Sequence, residues 1–462
     1  MLNQLKRRKS VADAVSMAEK NGLHRTLGSW DLIALGIGCV IGAGIFVLTG
    51  IAAATKAGPA LPLSFIVAGL ACTFAALVYA ELASIVPVSG SAYTYSYVTL
   101  GEFIAWIIGW DLILEYGVAA AVVAIGWSGY LLQLIRSLGI DLPDMLTKAP
   151  HDGGWINLPA ALIILIMSAI LARGVRQSST FNIVIVAVKL IVIGIFLAVA
   201  IPEVKVENWQ PYMPFGWTGV MGGAGLIFFA YIGFDAVSTA AEEARDPKRD
   251  LPRGIIGSLL ICTLIYIVVS AVLTGVVYYT DLNVSYPVAY ALERIGQGGY
   301  AKIISIGAIS GLTSVLLVLL YAQSRVFFAM SRDGLLPAMF SRVHPRFRTP
   351  VETTMVTGVL VALIAGLTPI NTVAELVNVG TLAAFILVSI GVIALRYTQP
   401  DLHRPFKTPL MPLTPILAIV FCGYLIYSLD ALTLWRFVAW MALGVIVYFG
   451  YSAKHSVLQS RN

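Results

Sequence analysis

The sequence predicts an all-α polytopic membrane protein of twelve transmembrane helices, and three observations carry that prediction. Of the 462 residues 58% are hydrophobic and 12% charged, too few charges to coat a soluble domain of that length. Apolar stretches of about 20 residues, enough to cross a hydrocarbon core of about 30 Å, recur along the chain. The lysines and arginines between them fall alternately in cation-rich and cation-poor loops, the bias that distinguishes cytosolic from outer connections.

Residues 1–29 are polar and basic, with Lys6, Arg7, Arg8, Lys9, Lys20 and Arg25. They lack the apolar stretch and small-residue site of a cleaved signal peptide, so a cytosolic tail is expected. Spans follow near 30–55, 61–87, 99–135, 157–173, 181–201 and 218–241, then 254–278, 300–331, 351–369, 375–395, 411–429 and 432–451. With the amino end inside, cytosolic segments receive Arg173 and Arg176, then Arg245, Lys248, Arg249 and Arg253, then Arg332, Arg342, Arg346 and Arg348. Arg396, Arg404 and Lys407 follow, and Lys454 and Arg461 lie in the final tail, 452–462. Outer loops hold little beyond Lys56, Lys148, Lys205 and Arg294. Both termini are therefore expected in the cytosol, with an even number of spans in the plasma membrane.

Several function classes drop out. Cys39, Cys72, Cys262 and Cys422 sit in apolar stretches without paired spacing, and no histidine pair lies at membrane depth. Neither a metal site nor a disulfide framework is indicated. No nucleotide-binding glycine loop and no nucleophile–base pair occurs, so neither an enzyme nor a cofactor is expected. The net charge of +6 reads as an orientation signal rather than a nucleic-acid surface.

Two spans carry their weakest backbone at their centre. The first contains GIGCVIGAGIFVLTG, Gly36 to Gly50, and the sixth contains GLIFFAYIGFDAV with Gly233 in its middle. Glycine costs about 1 kcal/mol against alanine inside a helix, and interrupted helices are tolerated in lipid only where protein encloses them. Spans five apart and oppositely directed are what two inverted five-span repeats, 30–201 and 218–395, require, and paired breaks at matching positions mark a transporter's binding site. Unwinding at Gly42-Ala43-Gly44 frees amides at the start of a half-helix, where the dipole places roughly half a positive charge; such a terminus holds a carboxylate. Carbonyls near Ile41 and along Phe229, Ala230 and Ile232 can accept an ammonium. An α-amino acid offers both groups.

These motifs, with GPALPLSFIVAGL, PVSGSAYTYSY from Pro87, AEEARDPKRDLPRGI and RVFFAMSRDGLLP from Arg325, closely resemble the amino acid, polyamine and organocation superfamily. The resemblance is strongest to bacterial relatives of the cationic amino acid transporters and runs from about residue 25 to beyond residue 410. It implies a LeuT-type core of ten helices plus two extra spans at 411–451. Carried over by motif position, it implies that Ala43, Gly44 and Ile45 meet the substrate carboxylate while Phe229 and Ile232 meet the amine.

Span 5 reads FNIVIVAVKLIVIGIFLAVAIP, with Lys189 its one charge. It lies about eight residues, or about 12 Å, from the cytosolic start, and a mid-helix lysine costs about 2.5–3.5 kcal/mol even on lenient insertion scales. A desolvated lysine can exchange its proton under physiological conditions, so Lys189 is the candidate proton carrier, bonding carbonyls freed by the span 1 break. Asp111 and Glu115 share one face of span 3; Glu115 either shapes the site or pairs with Arg325. In span 8 Leu319 and its neighbours are apolar where eukaryotic cationic transporters carry smaller or more polar residues. The expectation is proton-coupled uptake of small or branched neutral L-amino acids by a protein embedded in the lipid bilayer, able to act as a monomer, with its protein partners left open. A cationic amino acid or polyamine carrier, an exchanger and a non-transporting sensor are the alternatives.

Overall fold

The computed structural model describes residues 27–86, 91–174, 179–347 and 349–458, without the side chains of residues 91, 179–182, 236, 239, 241 and 242. Nearly all of the N-terminal tail with its six cations, the first four residues of the Pro87 motif, Arg176, Arg348, Arg461 and the Glu242 side chain lie outside the described residues.

The described residues are helical, and the only β feature among them is a single isolated bridge between Leu27 and Ala244. Asp31, three residues into α1 (Ser29–Val40), accepts the Gly28 amide at 2.8 Å and so closes the helix's first turn. A π-wound stretch (Gly44–Leu48), a short α turn (Thr49–Ala52) and a second π-wound stretch (Ala53–Ala57) follow. Then come α2 (Leu61–Ile85), α3 (Ser91–Thr99), α4 (Glu102–Arg136), α5 (Leu158–Ala172) and α6 (Ser179–Ala200). The second half holds α7 (Gly216–Ile227), α8 (Pro247–Val276), α9 (Pro287–Arg294), α10 (Gly298–Arg332), α11 (Val351–Leu367), α12 (Ile370–Thr398), α13 (Leu413–Tyr427) and α14 (Ala431–Val447).

By length and composition, seven helical runs can cross a membrane: Gly44–Ile85, Glu102–Arg136, Ile183–Glu203, Pro247–Val276, Gly298–Arg332, Ile370–Thr398 and Ala431–His455. Four shorter apolar helices accompany them, namely α1, α5, α11 and α13. The four have 12 to 17 residues, fewer than the roughly 20 that a perpendicular crossing needs. Leu260, Leu264 and Val268 on α8 and Val356, Leu360 and Leu363 on α11 form exposed apolar faces. Such faces are stable against lipid and costly against water.

The helices pack in two sets. α8 runs along α1 and α2; α4 runs along α10 and contacts α5 and α11, which also pack on each other. α6 lies against α10 and α1, and α12 against α4 and α13. Side chains lock one end of the molecule. Glu81 of α2 receives two bonds from Arg396 of α12, at 2.9 and 2.8 Å, and one from the Thr408 amide at 2.7 Å. Arg404 lies 3.3 Å from the same carboxylate. At that end the Leu27 amide donates to the Glu243 carbonyl at 3.0 Å, the Arg245 amide to the Leu27 carbonyl at 2.8 Å, and the Ser29 hydroxyl to Asp250 at 2.5 Å.

Candidate substrate site at two broken helices

The first break falls on Ile41 and Gly42. Ile41 takes an extended ψ of 98°, whereas Ala43 is already helical at φ −60°, ψ −24°. The interruption therefore begins one residue earlier than Gly42-Ala43-Gly44 implied. The resumed helix makes its first backbone bond from the Phe46 amide to the Gly42 carbonyl at 3.2 Å, so the amides of Ala43, Gly44 and Ile45 stand ahead of it at a helix N-terminus. Its π winding, from Gly44 to Leu48, leaves carbonyls imperfectly paired. The Thr49 hydroxyl answers two of them, bonding Gly44 at 3.0 Å and Ile45 at 2.5 Å.

The second break follows α7. Phe228–Tyr231 tightens to a 3-10 turn, Ile232 is extended at ψ 132°, Gly233 takes φ +113°, and Asp235–Glu243 resumes as a 3-10 helix. That φ favours glycine over any residue with a Cβ. The site also needs glycine for space, since an added Cβ would sit 3.0 Å from Cys39 Cβ.

The breaks touch. A Cβ added at Gly44 would overlap Cα and Cβ of Ala230, so the two interrupted backbones approach as closely as a missing side chain allows. Tyr266 of α8 ties them, its hydroxyl lying 2.8 Å from the Val40 carbonyl and 2.9 Å from the Ala230 carbonyl. Lys189 of α6 is wholly buried and places Nζ 2.6 Å from the Gly38 carbonyl, in the last turn of α1. Its aliphatic stem lies against Gly311 of α10, where a Cβ would come within 2.9 Å of Lys189 Cε. Val315, one turn on, faces Gly42, and Leu319, a further turn along, is buried.

Ile41, Ala43, Ile45, Phe229, Ala230 and Ile232 are all buried at this junction. Among the carbonyls offered to an ammonium, that of Ala230 accepts Tyr266 and that of Phe229 accepts the Ile232 amide at 3.2 Å. A carbonyl has two lone pairs, so each keeps one for a ligand. Glu115 is buried on α4 beside the Thr381 hydroxyl, and Arg325 is not its partner: that guanidinium bonds the Tyr321 hydroxyl and lies 4.8 Å from the Tyr321 ring centroid. The i,i+4 geometry of one helix explains the choice, since Tyr321 is a turn away from Arg325 on the same face. Asp111 packs against Gly380 of α12, and its Oδ1 finds no hydrogen-bond donor among the described residues.

Three polar residues of the junction escape a reading of the sequence. Tyr266 is one. Asn378 of α12 donates to the Gly225 and Leu226 carbonyls at 2.7 and 2.9 Å, capping the end of α7. Tyr130 of α4 donates to the Phe46 carbonyl at 2.6 Å. Each interrupts an apolar run, and a buried polar group must find a partner; that is the signal, although it does not say which partner.

The amino acid permease family matches the chain over residues 27–452. A methylthioribose transporter of Bacillus subtilis is 52% identical over 99% of this chain and 100% of its own length. A branched-chain amino acid permease, BcaP, of the same organism is 52% identical over 98% of both chains. A vacuolar cationic amino acid transporter of Arabidopsis thaliana is 42% identical over 87% of this chain and 68% of its own length.

Proposed function

Because the chain belongs to the amino acid permease family, we propose that it is a secondary active carrier taking up small or branched neutral L-amino acids together with a proton, by alternating access. The observation that carries this reading is the contact of two broken helices, one presenting amides at a half-helix N-terminus and the other carbonyls. Amides and dipole suit a carboxylate, and carbonyls suit an ammonium. Ala43, Gly44 and Ile45 take the first role; Ile41, Gly42, Phe229, Ala230 and Ile232 line or meet the second. Glu115 and Leu319 border the side-chain pocket, and the apolar Leu319 favours a neutral substrate. Similarity to a branched-chain permease points the same way.

The twelve-span, five-plus-five arrangement belongs to this proposal, with repeats at 30–201 and 218–395 and two further spans at 411–451. It is supported by packing, because corresponding spans associate: α2 with α8, α4 with α10, and α5 with α11. The proposed location is the plasma membrane, with both termini cytosolic, an orientation that the cation distribution supports. Lys189 carries the coupling proton. Its ammonium occupies the place at the end of α1 that a bound cation would otherwise fill, and its release of the proton frees the Gly38 carbonyl.

The equally similar methylthioribose transporter supports a second reading, in which a thioether sugar is carried. That molecule has neither carboxylate nor ammonium and would leave both broken backbones unanswered. Purified protein in liposomes separates the two. Labelled isoleucine should accumulate when the outside is acidified, competed by leucine and valine but not by lysine, spermidine or methylthioribose. Methylthioribose uptake without isoleucine uptake would overturn the proposal, and isoleucine binding without counterflow would make the protein a sensor.

A further inference from the structure

At the end where α1 and α8 begin, a pocket of about 760 Å³ opens between α1, α8 and residues 405–406. That is the size of an ordinary small-molecule site. Its lining includes Lys248, Arg249 and Arg253 from the first two turns of α8, and no carboxylate. Two nearby acids are already engaged: Asp250 accepts the Ser29 hydroxyl and the Asp246 amide, and Asp31 accepts the Gly28 amide. The three cations make no ion pair among the described residues. The same lining includes the apolar Ile33, Ile256 and Phe406, and Trp30, 79% exposed.

Three cations without an ion pair among the described residues, sharing a pocket with apolar groups and an exposed indole at the ends of two membrane helices, match one kind of molecule. We propose that this pocket binds the phosphate headgroup of an anionic phospholipid from the leaflet at this end of the protein. Lys248, Arg249 and Arg253 hold the phosphodiester through charge-assisted hydrogen bonds. Trp30 lies at headgroup depth, where indoles concentrate, and Ile33, Ile256 and Phe406 receive the upper acyl chain. Basic pockets between membrane helices are suited to such lipids. The protein's own N-terminal segment is opposed as an occupant by charge, because residues 1–26 carry six lysines and arginines against two carboxylates. A seated lipid joins α1 to α8 beside the Leu27–Ala244 bridge, and so bears on any outward swing of α1. The inference does not depend on which solute is carried.

The test is native mass spectrometry of the full chain in detergent, titrated with dioleoyl-phosphatidylglycerol or dioleoyl-phosphatidylcholine. One phosphatidylglycerol should bind at least tenfold more tightly than phosphatidylcholine. Each cation near an anionic group contributes about fivefold, so Lys248→Gln/Arg249→Gln/Arg253→Gln should lose at least tenfold and the single Arg253→Gln, the fallback if the triple variant misfolds, about fivefold. Lys205→Gln, away from the pocket, should lose nothing. A separate thermal-shift arm with inorganic phosphate distinguishes a lipid from a free anion, and phosphate should have no effect beyond that of chloride. Equal affinity for the two lipids, undiminished binding by the variants, or stabilisation by phosphate matching that by phosphatidylglycerol would each overturn the proposal.

Discussion

At Gly44 the first carbon of any side chain would enter space that Ala230 fills, so the closest approach of the two backbones rests on one absent methyl. Overpacking a tight site costs about 1–3 kcal/mol, and about 1.4 kcal/mol is tenfold in affinity. Gly44→Ala should therefore weaken isoleucine binding at least tenfold in a thermal-shift titration while the helices still form; unchanged binding would mean the breaks need not touch. Tyr266 faces the converse problem, since one hydroxyl serves carbonyls of both breaks. Removing a donor from a buried acceptor costs about 1–3 kcal/mol. Tyr266→Phe should lower the melting temperature by a few degrees and reduce uptake more than stability, and a variant indistinguishable from the parent in both would remove the tyrosine from the site. The glycines were legible in the sequence because a poor helix former at mid-span has few other uses. Tyr266, Asn378 and Tyr130 were not, because a lone hydroxyl or amide in an apolar run shows that a partner exists without naming it.

Among the elements, the apolar helices are the most legible: the expected 157–173 and 351–369 correspond to Leu158–Ala172 and Val351–Leu367. Winding was not. The same residue types can form α, π or 3-10 turns, so nothing in the composition of Gly44–Leu48 or Asp235–Glu243 distinguishes them. Helices α3 and α9, with nine and eight residues, fell in expected connections because they lack membrane-crossing length. The clamp at Glu81 was equally hidden, since its partners Arg396, Arg404 and Thr408 lie more than 300 residues away. Its carboxylate is 1% exposed and Arg404 4%, so removing it leaves the buried Arg404 without its counter-charge, a loss of about 3–5 kcal/mol. Glu81→Ala should therefore reduce thermal stability and yield sharply, while the folded fraction binds isoleucine with unaltered affinity. Unaltered stability would show that the loop between α12 and α13 is held by other contacts.

For the whole molecule, the proposed alternating access calls for rocking motions about a central site, and the helices pack in two sets, with α1, half of the first broken segment, inside one of them. In that arrangement Lys189 sits where α6 meets both α10 and α1, so its charge state bears on the relation of the two sets. Lys189→Ala should abolish isoleucine accumulation driven by external acid yet preserve counterflow, which needs binding and reorientation but no proton gradient. Undiminished acid-driven accumulation would exclude it as the proton carrier. Beneath every one of these expectations is the capture of a zwitterion by bare backbone, and calorimetric titration of the purified protein reads that directly. L-Isoleucine should bind, whereas its methyl ester, lacking the carboxylate, and 3-methylpentanoate, lacking the amine, should each bind at least a hundredfold more weakly. Comparable affinity for either analogue would contradict recognition by the two broken helices.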